Sequence, residues 1–148
     1  MRFYSLNDQN FKVSFKEAVI AGIAPDRGLY FPEKISPLIP AFFQTKDVNN
    51  PHQIAFEAIH QFVNEDIPDA VLEEIIANTL DFDFPVVELE KNVATLELSH
   101  GPTMAFKDVG ARFMANCLGY FSQGQKEEVT VLVATSGDTG GAVANGFL

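Results

Sequence analysis

The run from Val129 to Phe147, VTVLVATSGDTGGAVANGF, constrains the fold more than any other stretch of the chain. Val129–Val133 is a short, continuous, β-branched apolar run, the pattern of a strand buried on both faces of a parallel sheet. Thr135 to Gly141 is a small, polar, glycine-rich turn, and Ala142, Val143 and Ala144 open a helix of small residues. A strand, a glycine turn and a helix start belong to an α/β domain, and they aim backbone N–H groups at an anion. An ordinary strand-to-helix connection also favours Gly, Ser and Asp, so the turn alone does not identify a site. Neither GxGxxG nor GxxxxGK[ST] occurs in the run, so the dinucleotide and nucleoside-triphosphate signatures are missing.

A second run, Leu98 to Met114, reads LSHGPTMAFKDVGARFM. Pro102 and Thr103 mark the approach to a helix, with Thr103 as N-cap. Val109, Phe113, Cys117 and Tyr120 follow at helical spacing as one apolar stripe. Gly110, Ala111 and Ala115 are small enough for close packing. Lys107 then lies in the first turn, between Phe106 and Asp108. A lysine is poorly placed there for stability, because the start of a helix carries partial positive charge and favours Asp or Glu. A lysine amine in apolar surroundings is also the group that forms a Schiff base with a carbonyl compound. The ordinary alternative is a solvated lysine beside Asp108.

Composition removes several function classes. The 148 residues are 47% hydrophobic and 20% charged, which is globular and not disordered. The net charge of −10 argues against nucleic acid or an anionic membrane as partner, since both need a basic face. Cys117 is the single cysteine, so no disulfide can form within the chain, and a reducing compartment is the natural reading. Its place on the apolar stripe predicts a buried, inert thiol. The opening residues lack the apolar core of a signal peptide, and no run approaches the length of a membrane span. The expected location is the cytoplasm.

In chain order, Phe3 and Tyr4 predict a short strand. Ser14 and Glu17 form a capping box for a helix carrying Phe15, Ala18 and Val19, with Gly22 as C-terminal cap. Pro25–Gly28 is a tight turn, and Leu29–Phe31 a strand closed by Pro32. Asn50 and Pro51 open a second helix with Ala55, Ala58, Ile59 and Phe62 facing inward. Asp66–Asp69 starts a third, with Val71, Leu72, Ile75, Ile76 and Thr79 inside and Glu73 and Glu74 in solvent. His52 and His60 share a helix, but no cysteine or carboxylate pattern completes a metal site, and none is expected. Asp81–Pro85 breaks the helical pattern. Val86–Leu89 and Val93–Leu98 predict a hairpin about Lys91-Asn92. The division expected is a helical module over 1–84 and the opening β-β-α-β-α of an α/β domain over 85–148.

Together, HGPT-x-AFKD (from His100 to Asp108) and ATSGDTG (from Ala134 to Gly140) resemble threonine synthase, a fold type II pyridoxal-phosphate enzyme. The run VSFKEAVIAGIAPDRGLYFPE near the beginning is similar to the N-terminal segment of the same family, so the resemblance covers nearly the whole chain. It implies an α/β fold in which a helical N-terminal module precedes the truncated start of a tryptophan synthase β-like domain. It implies pyridoxal 5'-phosphate as cofactor, held by Lys107 as a Schiff base. It implies conversion of O-phospho-L-homoserine and water to L-threonine and phosphate, in a pathway of amino-acid biosynthesis. It places Ser136, Gly137, Thr139 and Gly140 at the substrate carboxylate and Asp138 beside the cofactor. Many fold type II enzymes carry Asn where this chain has Asp138. A carboxylate facing a bound carboxylate repels it, so Asp138 is expected to turn away and accept N–H groups at the helix start. The implied partner is a small-molecule substrate; oligomeric state is not legible. The chain reads as a fragment without turnover of its own. A dehydratase-like or cysteine synthase-like relative, or a non-catalytic protein that kept the lysine, are the alternatives.

Overall fold

Helix α1 (Phe15–Ala21) begins where its capping box puts it. The Ser14 hydroxyl accepts from the Glu17 N–H, and the Glu17 carboxylate accepts from the Ser14 N–H. The end is set by Gly22, whose φ of 69° is open to glycine and whose N–H donates to the Ala18 carbonyl. The structure, a computed structural model, describes residues 1–44, 49–124 and 130–148. It divides within one helix into two compact units, Met1–Ile76 and Ala77–Leu148.

The first unit carries a small antiparallel sheet in the order β2-β1-β3, made of β1 (Phe3–Ser5), β2 (Lys12–Val13) and β3 (Tyr30–Pro32). Phe3 stands opposite Val13 on one side and Pro32 on the other. Phe3, Val13 and Ala18 form a buried cluster, with Met1, Phe15, Tyr30 and Phe62 packed against it. The Pro25–Gly28 turn is tied to the sheet by the buried Ser5, whose hydroxyl donates to both Asp26 carboxylate oxygens at 2.7 and 2.8 Å. Asp26 also accepts from the Gly28 N–H at 2.8 Å. The turn places Arg27 at φ 66°, a conformation that favours glycine. A short 3-10 turn, Pro40–Gln44, buries Phe42.

Asn50 caps α2 (Pro51–Val63) by accepting from the N–H groups of His52 and Gln53. The helical phases expected from the sequence match the burial. Ala55, Ala58, Ile59 and Phe62 are partly buried, and Leu72, Ile75, Ile76 and Thr79 of α3 (Asp69–Thr79) are buried, while Glu73 and Glu74 are exposed. Val63 and Ile67 close the corner between the two helices. His60 stacks on Phe56 and lies 3.0 Å from Asp69. Among the described residues, no group of three or more His, Cys, Asp or Glu side chains is arranged to hold a metal ion. No helix among them is long and apolar enough to cross a membrane.

The second unit opens with the expected hairpin, β4 (Val86–Glu90) and β5 (Val93–Leu96), turned at Lys91-Asn92 with Asn92 at φ 64°. Helices α4 (Lys107–Phe121) and α5 (Asp138–Gly146) pack through small residues, burying Ala111, Ala142 and Val143 with Phe147 alongside. A side chain at Gly146 would bring its Cβ to 3.1 Å from the Ala111 carbonyl oxygen, so glycine permits this approach. Arg112 of α4 reaches back to the Asn78 carbonyl and, at 2.7 Å, to Asp81.

The expected buried strand at Val129–Val133 is not found. Val129 lies outside the described residues. Thr130–Val133 belongs to neither sheet, and Val131, Leu132 and Val133 are exposed. A parallel strand exists only through its neighbours, and neither described sheet reaches this segment. Among the described residues the arrangement along this unit is therefore β-β-α-α, with Thr130–Val133 outside both sheets before the last helix.

Candidate functional site

Lys107 is the first residue of α4, in the first turn as the sequence reading placed it. Thr103 does not cap the helix. Phe106 holds the N-cap position without a side-chain hydrogen bond, and Thr103 turns instead to Asp108. The Thr103 hydroxyl donates to Asp108 Oδ1 at 2.5 Å and its N–H donates to Oδ2 at 3.0 Å. The threonine therefore gives its hydroxyl proton to the buried carboxylate and does not accept from the N–H groups of the helix start. The loop between them turns tightly, with the Met104 N–H on the Gly101 carbonyl and Met104 at φ 54°.

The Lys107 side chain is 33% exposed. Its amine sits 5.1 Å from the centre of the Phe106 ring and 3.8 Å from Asp138 Oδ2. At that distance the pair is a weak ion pair between partly solvated groups. Phe106 and Asp138, together with Leu96, Leu98, Ser99, Thr103, Met104 and Ala105, line an open cavity of about 510 Å³. The two sequence motifs therefore meet in space across this cavity.

The glycine turn is built differently from the expectation. Asp138 is the first residue of α5, and its carboxylate makes no hydrogen bond to the helix start. That role falls to Thr135, whose hydroxyl oxygen accepts from the Gly137 N–H at 3.2 Å and the Gly140 N–H at 2.9 Å. The threonine leaves Asp138 free to face the Lys107 amine, where opposite charge draws it. With Gly137 and Gly140 engaged, Asp138 and Thr139 are the first-turn residues whose N–H groups have no acceptor within the helix. Ser136, Gly137 and Asp138 are exposed, and Thr139 and Gly140 are partly so.

Thr135 was missed as a local organiser. Its signal was available, since a Thr shortly before a helix start is a capping pattern. Asp108 carries no such signal, because nothing local marks an Asp in a first turn as buried. Cys117 is fully buried, and burial pushes its thiol up to about 12, so it stays protonated and unreactive near neutral pH.

A family model described as "Threonine synthase N terminus" matches residues 2–80. Threonine synthase from Escherichia coli (strain K12) is 41% identical over 152 residues, covering 99% of this chain and 34% of that protein. The structure is similar to the PLP-bound threonine synthase of Brucella melitensis, with a TM-score of 0.91 at 32% identity over 99% of this chain and 33% of that one. It is likewise similar to the yeast enzyme, with a TM-score of 0.86 at 35% identity and the same coverage of each chain. The chain spans about a third of the length of the curated relatives it matches. Its mixed helix-and-sheet fold is that of the N-terminal part of fold type II pyridoxal-phosphate enzymes of this kind.

Proposed function

The chain belongs to the threonine synthase family, and from that premise we propose that Lys107 anchors pyridoxal 5'-phosphate in the whole protein. The reaction would be the conversion of O-phospho-L-homoserine and water to L-threonine and phosphate. The observation that carries this reading is the meeting of the two motifs, with the Lys107 amine 3.8 Å from Asp138 beside a cavity of about 510 Å³. The residues present fit the cofactor. A partly buried amine stands beside an aromatic ring and an open cavity, and the start of α5 adjoins it with two backbone N–H groups unused by the helix.

When bound, pyridoxal phosphate supplies the electron sink for removal of protons next to the substrate amine. The chain's own residues supply placement and proton transfer. Lys107 Nζ would hold the cofactor and, as a free amine, would carry protons to and from the substrate carbons. Asp138 orients that amine when it is free. The Ser136 and Thr139 hydroxyls, with the N–H groups of Asp138 and Thr139, hold the substrate carboxylate at the positive end of α5. Gly137 and Gly140 let the chain turn and bring those groups into line. By role, the chain comprises an N-terminal module over 1–84 and a partial cofactor domain over 85–148. The 148 residues alone are proposed to be inactive, because Thr130–Val133, which lead into the turn, belong to neither described sheet. A cytoplasmic setting is part of this reading, in keeping with the single cysteine of the 148 residues.

The test is borohydride reduction of the whole protein with pyridoxal phosphate, followed by peptide mass mapping. The pyridoxyl group is expected on Lys107, and Lys107→Ala should abolish both the label and threonine formation. A label on Lys91 or Lys126 would overturn the assignment.

A further inference from the structure

Asp108 is a side chain that the reaction as described leaves unused. It is 0% exposed and sits one residue beyond Lys107 in the first turn of α4. Among the described residues no salt bridge compensates it. A buried carboxylate is costly unless its oxygens are satisfied, so the groups that satisfy them are held in place with it. Its two oxygens accept the hydroxyl and the N–H of Thr103. The same carboxylate sets the approach of the loop, because a Cβ on Gly101 would fall 2.5 Å from Asp108 Oδ2. The segment from Gly101 to Phe106 is thus wrapped around one side chain, and Met104 accepts a left-handed φ of 54° within it. Such a conformation persists only where its surroundings over-determine it.

Successive residues of a helix point about 100° apart. Asp108 is held inward by Thr103, so Lys107 is held outward, and the loop that fixes one direction fixes the other. We infer that Asp108, clasped by Thr103, is a positioning residue that sets where α4 begins and hence where the Lys107 amine stands. This rests on the assignment of Lys107 as the cofactor anchor and deepens it. Asp108 does not touch the amine. It acts through the backbone of the first turn, and the Phe106 ring 5.1 Å from the amine is carried on the same loop.

The experiment uses the whole protein loaded with pyridoxal phosphate and follows three readouts. These are the rate of borohydride-trapped labelling at Lys107, the pH midpoint of the visible band of the lysine-bound cofactor, and the separate values of kcat and KM. Asp108→Ala is expected to slow labelling about tenfold or more, to move the midpoint of the band, and to lower kcat with KM nearly unchanged. Asp108→Asn keeps one acceptor for the Thr103 N–H and can donate to its hydroxyl, so it should restore most of the labelling rate. Thr103→Val, a milder change that removes the hydroxyl and keeps the N–H, should fall between the two, with Thr103→Ser close to wild type. If wild type is labelled at Lys107 and both Thr103→Val and Asp108→Ala match it in rate and band midpoint, the positioning role is overturned while the anchor assignment stands. If wild type itself carries no label at Lys107, the anchor assignment fails first and the positioning role with it.

Discussion

The unit Met1–Ile76 and the unit Ala77–Leu148 build their cores from different side chains. In the first, Val63, Ile67, Leu72, Ile75 and Ile76 are taken almost completely out of water. In the second, the buried set is mostly small, Ala111, Ala115, Cys117, Ala142 and Val143 with Phe121, while both units leave large apolar groups in solvent, Leu29 and Ile39 among them in the first. Val86 and Leu89 of the hairpin, Met104 and Phe106 of the loop, and Leu132 before the glycine turn are all exposed. The polar groups follow the same division. The first unit caps α1 and α2 with Ser14 and Asn50 and ties its turn with Ser5 and Asp26. The second leaves the N-cap positions of both its helices without a side-chain bond and gathers Lys107, Asp138 and the glycine turn around an open cavity. The difference separates two uses of one chain. The first unit stands on large buried aliphatic side chains, and the second packs small residues beside its chemistry.

Core truncation should sharpen that contrast most. Leu72 is 0% exposed, and Leu72→Ala is expected to cost about 2–5 kcal/mol in a denaturation experiment. Leu132 is 90% exposed, and Leu132→Ala should change stability by less than about 0.5 kcal/mol. Equal losses at the two positions would erase the distinction between the units.

Acid should act on the first unit next. The Asp26 carboxyl is held below its usual range, first by the Ser5 hydroxyl and then by the Gly28 N–H. Glu17 is lowered in the same way by the Ser14 N–H. A carboxyl whose pKa is lower folded than unfolded stabilises the fold above its unfolded value, which is about 4. That stability is lost as pH falls through the folded value. Hydrogen exchange in the first unit should therefore quicken as pH drops below about 4, after correction for the intrinsic rate, and Asp26→Asn should flatten the response. A response unchanged by Asp26→Asn would remove the Ser5–Asp26 tie from the account.

The smallest effect is a gain. Arg27 holds φ 66° with its side chain in solvent, where glycine carries no Cβ penalty. Arg27→Gly should raise stability by about 1 kcal/mol or less, read as a rise in denaturation midpoint. A fall would mean that the arginine side chain contributes more than its backbone strain costs.

What could be read from the sequence was local. The capping box at Ser14 and Glu17, the Asn50-Pro51 start and the Leu72–Ile75–Ile76 face depend on residues three or four apart, and all three stand in the structure. Lys12–Val13 escaped notice, because two residues carry no periodicity and their strand exists only by pairing with Phe3 and Tyr4. Val129–Val133 failed for the converse reason. Its composition is that of a buried strand, and burial is a property of neighbours. At the site, Lys107 and the glycine turn were legible as motifs. The exchange of roles among Thr103, Asp108, Thr135 and Asp138 was not, since it turns on which acceptor lies nearest each donor once the chain has folded.

The single hydroxyl of Thr135 has a consequence for how the glycine turn is seen in solution. It shields two amides, those of Gly137 and Gly140, and passes over the two between them. Amide exchange along the turn should alternate slow, fast, fast, slow from Gly137 to Gly140. An anion settling on the open pair would level that alternation, so the turn signals its own occupancy through protons that belong to the backbone alone.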